Sequence, residues 1–396
     1  MDWKKFRFEY RYENSGLRNT IVSIEASKEA AMSLILPPDW RETLNKLNRI
    51  RAIHGTTAIE GNPLSEAEVS QQIEAQEQSD DHQDATQLSK EQIQIRNAGA
   101  AQGWVQERFK PGNDPFTLSD ILNMHEMITE NADMTDNTPG QLRAFSVQVG
   151  SPSLGGVHRG APHEELPGLM NEYIEFLRSR KMEAEHPAIR ALLAHFFLVT
   201  IHPFGDGNGR TSRLVEAGIL FRGGYNVHGF YGLSNYFYRH DDEYKKLLQK
   251  CREKQPFDVT PFIAFGLQGF MEELRGINNF IKTKLNRIVY RQMLVQARNK
   301  KISDRRFLIN DREYGLLDFL ISETEPVDPF SEQPSRVIGA TELIGSPYIR
   351  GAYSNVTTRT LIRELLRLEQ FGFIKVTDTP PNDLKIELDF DAIGKY

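Results

Sequence analysis

A mainly α chain, interrupted midway by a short β-hairpin flap and ending in a winged helix-turn-helix domain, is what the sequence predicts. Three observations carry this. From about Glu91 to Lys301, apolar residues recur at helical spacing. The stretch 147–163 breaks that spacing, with Val147-Gln148-Val149-Gly150, Gly155-Gly156 and Val157-His158 reading as a short hairpin. After Lys300-Lys301 the order becomes helix, helix, helix, then two alternating runs, which is the order of a winged helix-turn-helix.

The elements follow in chain order. Phe6, Phe8, Tyr10 and Tyr12 alternate, so a strand or hairpin is expected in the first forty residues. A helix is expected from about Trp40 to Ile53, running into His54–Asn62, with Gly61-Asn62-Pro63 as its stop. Ser65 followed by Glu68 is a capping box that opens another helix. Residues 74–91 are polar, acidic and Gln-rich (Glu77, Asp80, Asp81, Asp84) and read as a solvated connection. Pro187 is a favoured first helical residue. The helix it starts carries Ile189, Leu192, Leu193, Phe196 and Phe197 on one face, and Ala191, Ala194 and Leu198 on its other sides, so it is expected to be central and buried. Past Lys301, helices are expected near 311–322, 340–345 and Thr357–Gln370, the last with Leu361, Leu365, Leu366 and Leu368 inside. Phe371–Val376, a turn at Pro380-Pro381-Asn382-Asp383 and Leu384–Phe390 complete the hairpin.

Composition bounds the function. A length of 396 residues implies two to three domains, and 39% hydrophobic with 26% charged residues describes an ordinary globular protein. No run approaches the roughly 18 apolar residues a membrane span needs. Met1-Asp2-Trp3-Lys4-Lys5 lacks the apolar stretch of a secretory leader. The single cysteine, Cys251, can form no internal disulfide, so a reducing, cytoplasmic setting is expected. A net charge of −6 argues against a surface built wholly to grip nucleic acid.

One segment stands apart: His202-Pro203-Phe204-Gly205-Asp206-Gly207-Asn208-Gly209-Arg210-Thr211-Ser212-Arg213. Glycines at a helix entrance let backbone N–H groups converge, and the helix start adds unpaired donors with partial positive charge. Arg210 and Arg213 are neighbours three apart in a first turn, where the macrodipole disfavours cations by a few tenths of a kcal/mol each. A multiply charged anion, naturally a polyphosphate, compensates both. Asp206 would repel that phosphate unless a hard cation lay between them, which suggests Mg²⁺. His202, at the end of the buried helix, is placed to take a proton from an attacking hydroxyl. No Lys-Ser/Thr follows the last glycine, so the segment is not a P-loop.

His202–Arg213 resembles the signature of Fic-domain proteins, His-x-Phe-x-Asp/Glu-Gly-Asn-Gly-Arg-x-x-Arg, with every defining position present. The resemblance extends over roughly residues 40–300. It implies an all-helical Fic-type core that transfers AMP from ATP to a hydroxyl side chain of a protein, releasing pyrophosphate. It implies His202 as general base, Asp206 as Mg²⁺ ligand and Phe204 as anchor of the loop. Gly207-Asn208-Gly209 with Arg210 would cradle phosphate, and Arg213 would meet the γ-phosphate. The nucleotide-binding set so implied is Glu60, His202, Gly207, Asn208, Gly209, Arg210, Thr211, Ser212, Arg213 and His240. His240 follows Tyr231–Tyr236 and precedes Asp242-Glu243-Tyr244, which resemble the family's nucleoside-side helix, and it stands where relatives often have Asn.

Upstream, Thr56-x-x-x-Glu60-Gly61 resembles the inhibitory motif some Fic proteins carry, in which the Glu pairs with the second signature arginine. Here Glu60 would face Arg213. The hairpin at 147–163 matches the family's flap, which holds a target segment by strand addition. The division expected is then 1–110 as an N-terminal region with the inhibitory helix, 111–300 as the Fic core and 301–396 as the winged helix-turn-helix. His54, His125, His158, His163, His186 and His195 are read as structural, since none pairs at a metal-ligand spacing.

In the last domain, Arg359, Arg363 and Arg367 at i, i+4, i+8 would form a basic stripe. Residues 331–396, however, hold eight Lys/Arg and nine Asp/Glu, a net of −1, so protein interaction is favoured over DNA binding. The expected partners are ATP and a protein bearing a Ser, Thr or Tyr hydroxyl, the chain itself included, with a homodimer left open and no membrane. Two alternatives stay open: removal of AMP by the same site, and a DNA-binding regulator with a nucleotide-sensing site. Transfer of UMP or a phosphocholine-type group is likewise left open by the loop.

Overall fold

The computed structural model describes residues 2–34, 36–78, 88–132, 135–227, 229–230, 232–303, 306–325, 337–379 and 383–395. Asp80, Asp81 and Asp84 of the expected acidic connection, Tyr231, and the Pro380-Pro381-Asn382 turn lie outside the described residues. The chain forms two compact units, Met1–Arg275 and Gly276–Tyr396.

The first unit contains, in order, β1 (Tyr10–Arg11), α1 (Arg18–Ser33), α2 (Pro38–Ala58), α3 (Glu66–Gln78), α4 (Lys90–Arg108), α5 (Leu118–Thr129), β2 (Gln148–Ser151), β3 (Gly156–Arg159), α6 (Leu166–Leu177), α7 (Arg180–Glu183), α8 (Pro187–Ile201), α9 (Asn208–Arg222), α10 (Ser234–Arg239), α11 (Asp241–Cys251) and β4 (Phe257–Asp258). At its centre α8 packs along α9 as a helical hairpin, with α2, α4 and α5 against α9. All the side chains of α8 from Ala188 to Ile201 but Arg190 are buried, as its largely apolar sequence requires. The capping box at Ser65 forms, Ser65 N donating to Glu68 Oε2 (2.8 Å) and Glu68 N to Ser65 Oγ (3.4 Å). β2 and β3 pair antiparallel, from Gln148 opposite Arg159 to Ser151 opposite Gly156.

One expectation is sharpened here and one corrected. The strand expected in the first forty residues is the two-residue β1, which pairs in parallel with β4 far along the chain and not in a local hairpin, and the helix α1 follows it. The alternating aromatics reach inward instead: Phe8 stacks on Phe176 at 5.2 Å and sits 5.2 Å from Phe197. Residues 1–110 therefore share a core with α8 and α9 and do not stand apart as a separate region.

α12 (Thr260–Asn299) runs through the unit boundary. Its later part, with Tyr290, Met293, Leu294 and Ala297, belongs to the second unit's core, beside Leu316, Leu320, Leu361, Leu368 and Phe373. This is why the boundary falls at Arg275/Gly276 and not at 300. The second unit continues with β5 (Lys301–Ser303), β6 (Arg306–Phe307), α13 (Asp311–Glu323), β7 (Ile338–Gly339), α14 (Ala340–Gly345), α15 (Pro347–Ala352), α16 (Thr358–Gln370), β8 (Ile374–Thr379) and β9 (Asp383–Leu388). β7, β9 and β8 form an antiparallel sheet in that order, with Val376 opposite Ile386.

The expected basic stripe on α16 is also incomplete. Arg367 is turned inward, donating through Nη1 to both oxygens of the fully buried Glu313 (2.8 and 2.9 Å) and through Nη2 to Leu308 O (2.8 Å). Arg359 and Arg363 remain exposed. Among the described residues, no helix is long and apolar enough to cross a membrane.

Candidate functional site

The loop between α8 and α9 is built to a fixed shape. α8 stops because His202 takes a left-handed conformation (φ 55°, ψ 62°) and Pro203 follows it. Arg143 clamps this corner: Nε donates to His202 O (2.8 Å), Nη2 to Ala161 O (2.5 Å), and its backbone N to Pro203 O (3.0 Å). Phe204 is fully buried and lies flat on the His125 ring, 3.7 Å between centroids and 4° between planes. Gly140 N donates to His125 Nδ1 (3.1 Å), so that nitrogen is the acceptor. The neutral tautomer then carries its proton on Nε2 and donates to Asp206 O (3.1 Å).

Asn208 closes the loop on itself, its Oδ1 accepting from Phe204 N and its Nδ2 donating to Phe204 O, both at 2.9 Å. Gly207 is the N-cap of α9 at φ 74°, and a Cβ there would stand 2.7 Å from Thr129 Cγ2, so only glycine fits. Asp206 Oδ1 accepts from Gly207 N and from Arg210 Nη2 (3.2 Å), while the Asp206 side chain stays 46% exposed. Thr211 and Ser212 face the core, and the Ser212 hydroxyl donates back to Asn208 O (2.8 Å). Their side chains are thus structural; only their place in the first turn is shared with the expected nucleotide-binding set.

Arg213 is tied to the end of α2 and to Glu60 just beyond it. Nε donates to Thr56 Oγ1 (2.8 Å), Nη2 to Thr56 O (3.0 Å), and Nη2 also to Glu60 Oε1 (2.6 Å). Glu60 lies just past the end of α2, and its carboxylate rests against the first turn of α9 so closely that a Cβ on Gly209 would overlap Oε1. Burial would raise the Glu60 pKa, but Arg213 above all, with Arg210 and Lys245, outweighs it and holds the group below the ordinary carboxylate range. Glu60 is therefore an anion seated between Arg213 and the first turn of α9.

His202 shares this cleft, which has a volume of about 170 Å³ and is lined also by Val149 and Gly150 of the hairpin, Tyr244, Lys245 and Arg252. Burial, helped by Arg252 and Arg143 and opposed by the bond to Val199 O, pushes the His202 pKa down to about 4. With Nδ1 3.3 Å from Val199 O and donating to it, Nε2 keeps its lone pair at neutral pH.

Behind the cleft runs a buried polar chain. Leu233 N donates to Glu216 Oε1 (3.1 Å), Glu216 Oε2 meets His195 Nδ1 (2.7 Å), and His195 Nε2 meets the Tyr244 hydroxyl (2.8 Å). Burial lowers the His195 pKa against the pull of Glu216, so a neutral imidazole accepts the Tyr244 proton. The Tyr244 oxygen, whose pKa burial pushes up to about 12, is left as a neutral acceptor beside Arg213.

The structure therefore gathers Glu60, His202, Gly209 and Arg213 on one cleft, with Asp206 and Arg210 at the loop. His240 is not with them: its ring packs on Tyr236 (4.6 Å) and Phe265 (6.1 Å) in the corner between α10 and α11. Sequence reasoning missed Arg143, Arg252, Glu216 and Asn137, whose Oδ1 accepts from Asp206 N (3.2 Å), and it did not join His195 to Tyr244. His195 left a signal, as a polar residue within the buried, mostly apolar stretch of α8.

Residues 115–220 match the Fic/DOC family. The chain is 33% identical over 216 residues to the protein adenylyltransferase Fic of Aedes aegypti, covering 54% of this chain and 39% of that one. It is 31% identical over 216 residues to the protein of the same name from Culex quinquefasciatus, with the same coverage. The chain thus spans less than half the length of these curated relatives. Among solved structures, a Fic family protein from Desulfovibrio desulfuricans G20 superposes with a TM-score of 0.55 at 20% identity, over 97% of this chain and 98% of that one. Fic-1 from C. elegans gives 0.54 at 24% identity, over 67% and 73%. The fold is accordingly the mainly helical Fic fold.

Proposed function

We propose that this chain is a protein adenylyltransferase, moving AMP from ATP to a protein hydroxyl with release of pyrophosphate, and that Glu60 restrains it. The observation that carries the reading is the Glu60 carboxylate itself. It occupies an anion site made by Arg213 and the start of α9, in the same cleft as a neutral histidine. A triphosphate seated there exchanges one anion for another.

In that reaction His202 Nε2 takes the proton of the attacking hydroxyl as its oxygen bonds to the α-phosphorus. The bond from that phosphorus to the bridging oxygen breaks, and the electron pair leaves with pyrophosphate. The start of α9, Arg210 and Arg213 offset the charge on the leaving group, which is most of what phosphoryl-type transfer asks of a protein. No three His, Cys, Asp or Glu side chains among the described residues form a metal cluster. Asp206 fits Mg²⁺ as a half-exposed carboxylate whose Oδ1 is occupied and whose Oδ2 would be free to hold the ion. When bound, Mg²⁺ would neutralise phosphate charge.

Labelled ATP and Mg²⁺, incubated with the chain and lysate protein, test the reading. Glu60→Gly is expected to label protein more strongly than wild type, and His202→Ala in that background to label none. Labelling absent from every form contradicts the assignment. The shared cleft of Glu60 and His202 also suits the reverse reaction, with Glu60 orienting a water; AMP release from labelled protein that disappears in Glu60→Gly supports it.

The second unit is proposed as a protein-interaction winged helix. Supporting this, α16 presents Ile362 and Leu366 at 51% and 58% exposure, beside an apolar groove shared with Leu343, Ile344 and Leu384.

A further inference from the structure

The α8–α9 hairpin has a second end, about 20 Å from the His202 loop along helices of this length. There, Arg190 near the start of α8 and Arg222 at the end of α9 face a cavity of about 220 Å³, with Arg178 just beyond α6 at its rim. Phe116, Leu177 and Ile219 supply apolar walls, and Glu183 is the one acidic residue lining it.

The electrostatics of this cavity are unbalanced. Arg190 Nε and Arg222 Nε are buried and have no hydrogen-bond partner among the described residues. Arg178 Nε donates to Phe116 O (2.9 Å), which leaves the rest of its guanidinium fork for the cavity. Burial lowers the Arg190 pKa and the neighbouring Arg222 charge lowers it further, with Glu183 opposing. The start of α8 and the end of α9 meet here, so their opposite helix-end charges offset one another and the positive potential comes from the arginines. Like charges held together with unmet donors are costly unless an anion completes them. At the loop, Glu60 does this for Arg213; here three arginines face the single lining carboxylate, Glu183.

We propose that this cavity binds a small, multiply charged oxyanion of the phosphate or pyrophosphate class, held by Arg190 and Arg222 with Arg178 closing the rim. Guanidinium forks match the spacing of phosphate oxygens, and the cavity is several times the roughly 30 Å³ share of one water. Such a ligand ties the first turn of α8 to the last turn of α9, stiffening from behind the two helices that carry the loop. The site stands whatever reaction the loop performs.

Calorimetric titration of the full chain with sodium phosphate and with sodium pyrophosphate, against sodium chloride at equal ionic strength, tests it. The expected result is saturable binding of at least one of the two oxyanions, absent with chloride, that raises the melting temperature. Arg190→Gln or Arg222→Gln should weaken it about tenfold, the loss of one charge-assisted contact. Arg213→Ala should leave it unchanged, which separates this cavity from the loop. If the buried variants fail to fold, Arg178→Gln at the exposed rim should still weaken binding severalfold. Absence of saturable binding, or binding that Arg213→Ala abolishes and the cavity variants leave intact, would overturn the proposal.

Discussion

In α9, Arg210 and Arg213 are 2% and 4% exposed and are aimed by Asp206, Thr56 and Glu60. In α16, Arg359 and Arg363 stand in solvent while Arg367 is consumed by a buried carboxylate. Both helices carry arginines at neighbouring helical positions, and the spacing alone does not distinguish them. The difference lies in what surrounds the guanidinium. α9 begins on a left-handed glycine and lets a carboxylate press against Gly209, and Arg213 pairs with that carboxylate in the cleft. Arg367 lies in the last turn of α16, where its charge complements the helix end and neutralises Glu313, and nothing is left over for a ligand.

Substitutions can break this contrast, beginning with the largest effect. His202→Ala in the Glu60→Gly background should cost at least about a hundredfold in labelling rate, the scale of a lost general base. On the other side, Arg367→Ala should strand the buried Glu313 carboxylate and destabilise the second unit by about 3 kcal/mol, whereas Arg363→Ala should stay within about 0.5 kcal/mol. Denaturant melts of the two variants compare them directly; equal effects would undo the distinction drawn for α16.

Gly209→Ala sharpens the α9 side. Its Cβ must displace Glu60 from Arg213, so the variant should lose the stabilisation of that ion pair. A melting temperature equal to wild type would mean the close approach is not what holds Glu60. Tyr244→Phe removes the acceptor beside Arg213, and the Michaelis constant for ATP should rise a few-fold while kcat barely moves, the worth of one ordinary hydrogen bond. The smallest effect concerns pH. Glu60 has its pKa depressed in the folded protein, so its contribution is complete above the unfolded carboxylate value and is lost as pH falls through the folded one. Basal restraint should be flat between about pH 5 and 8, and labelling that rises on mild acidification would contradict this.

Much of the site was legible because its parts are adjacent in sequence. His202 to Arg213 is one loop and one helical turn, and the glycine, proline and arginine chemistry of such a segment can be read locally. Thr56–Glu60 could be proposed as a partner only through a resemblance, since nothing local says that the end of α2 meets α9. The supports were illegible for the same reason. Arg143 reaches His202 O from a loop 59 residues away, and Glu216, His195 and Tyr244 come from three different helices. α12 hid the unit boundary because a continuous helix gives no composition signal where its packing partner changes. The strand expected from the alternating aromatics is β1, but its partner β4 lies far along the chain and the aromatics also serve a core contact, so no local hairpin forms.

The central claim is that the start of α9 is a nucleotide phosphate site held shut by Glu60. Intact and peptide mass spectrometry of Glu60→Gly, incubated with ATP and Mg²⁺, tests it most directly. The account predicts a covalent AMP increment on a hydroxyl side chain, of this chain or of added protein, that vanishes when His202 is also replaced. No increment under these conditions, or one that persists without His202, would contradict it.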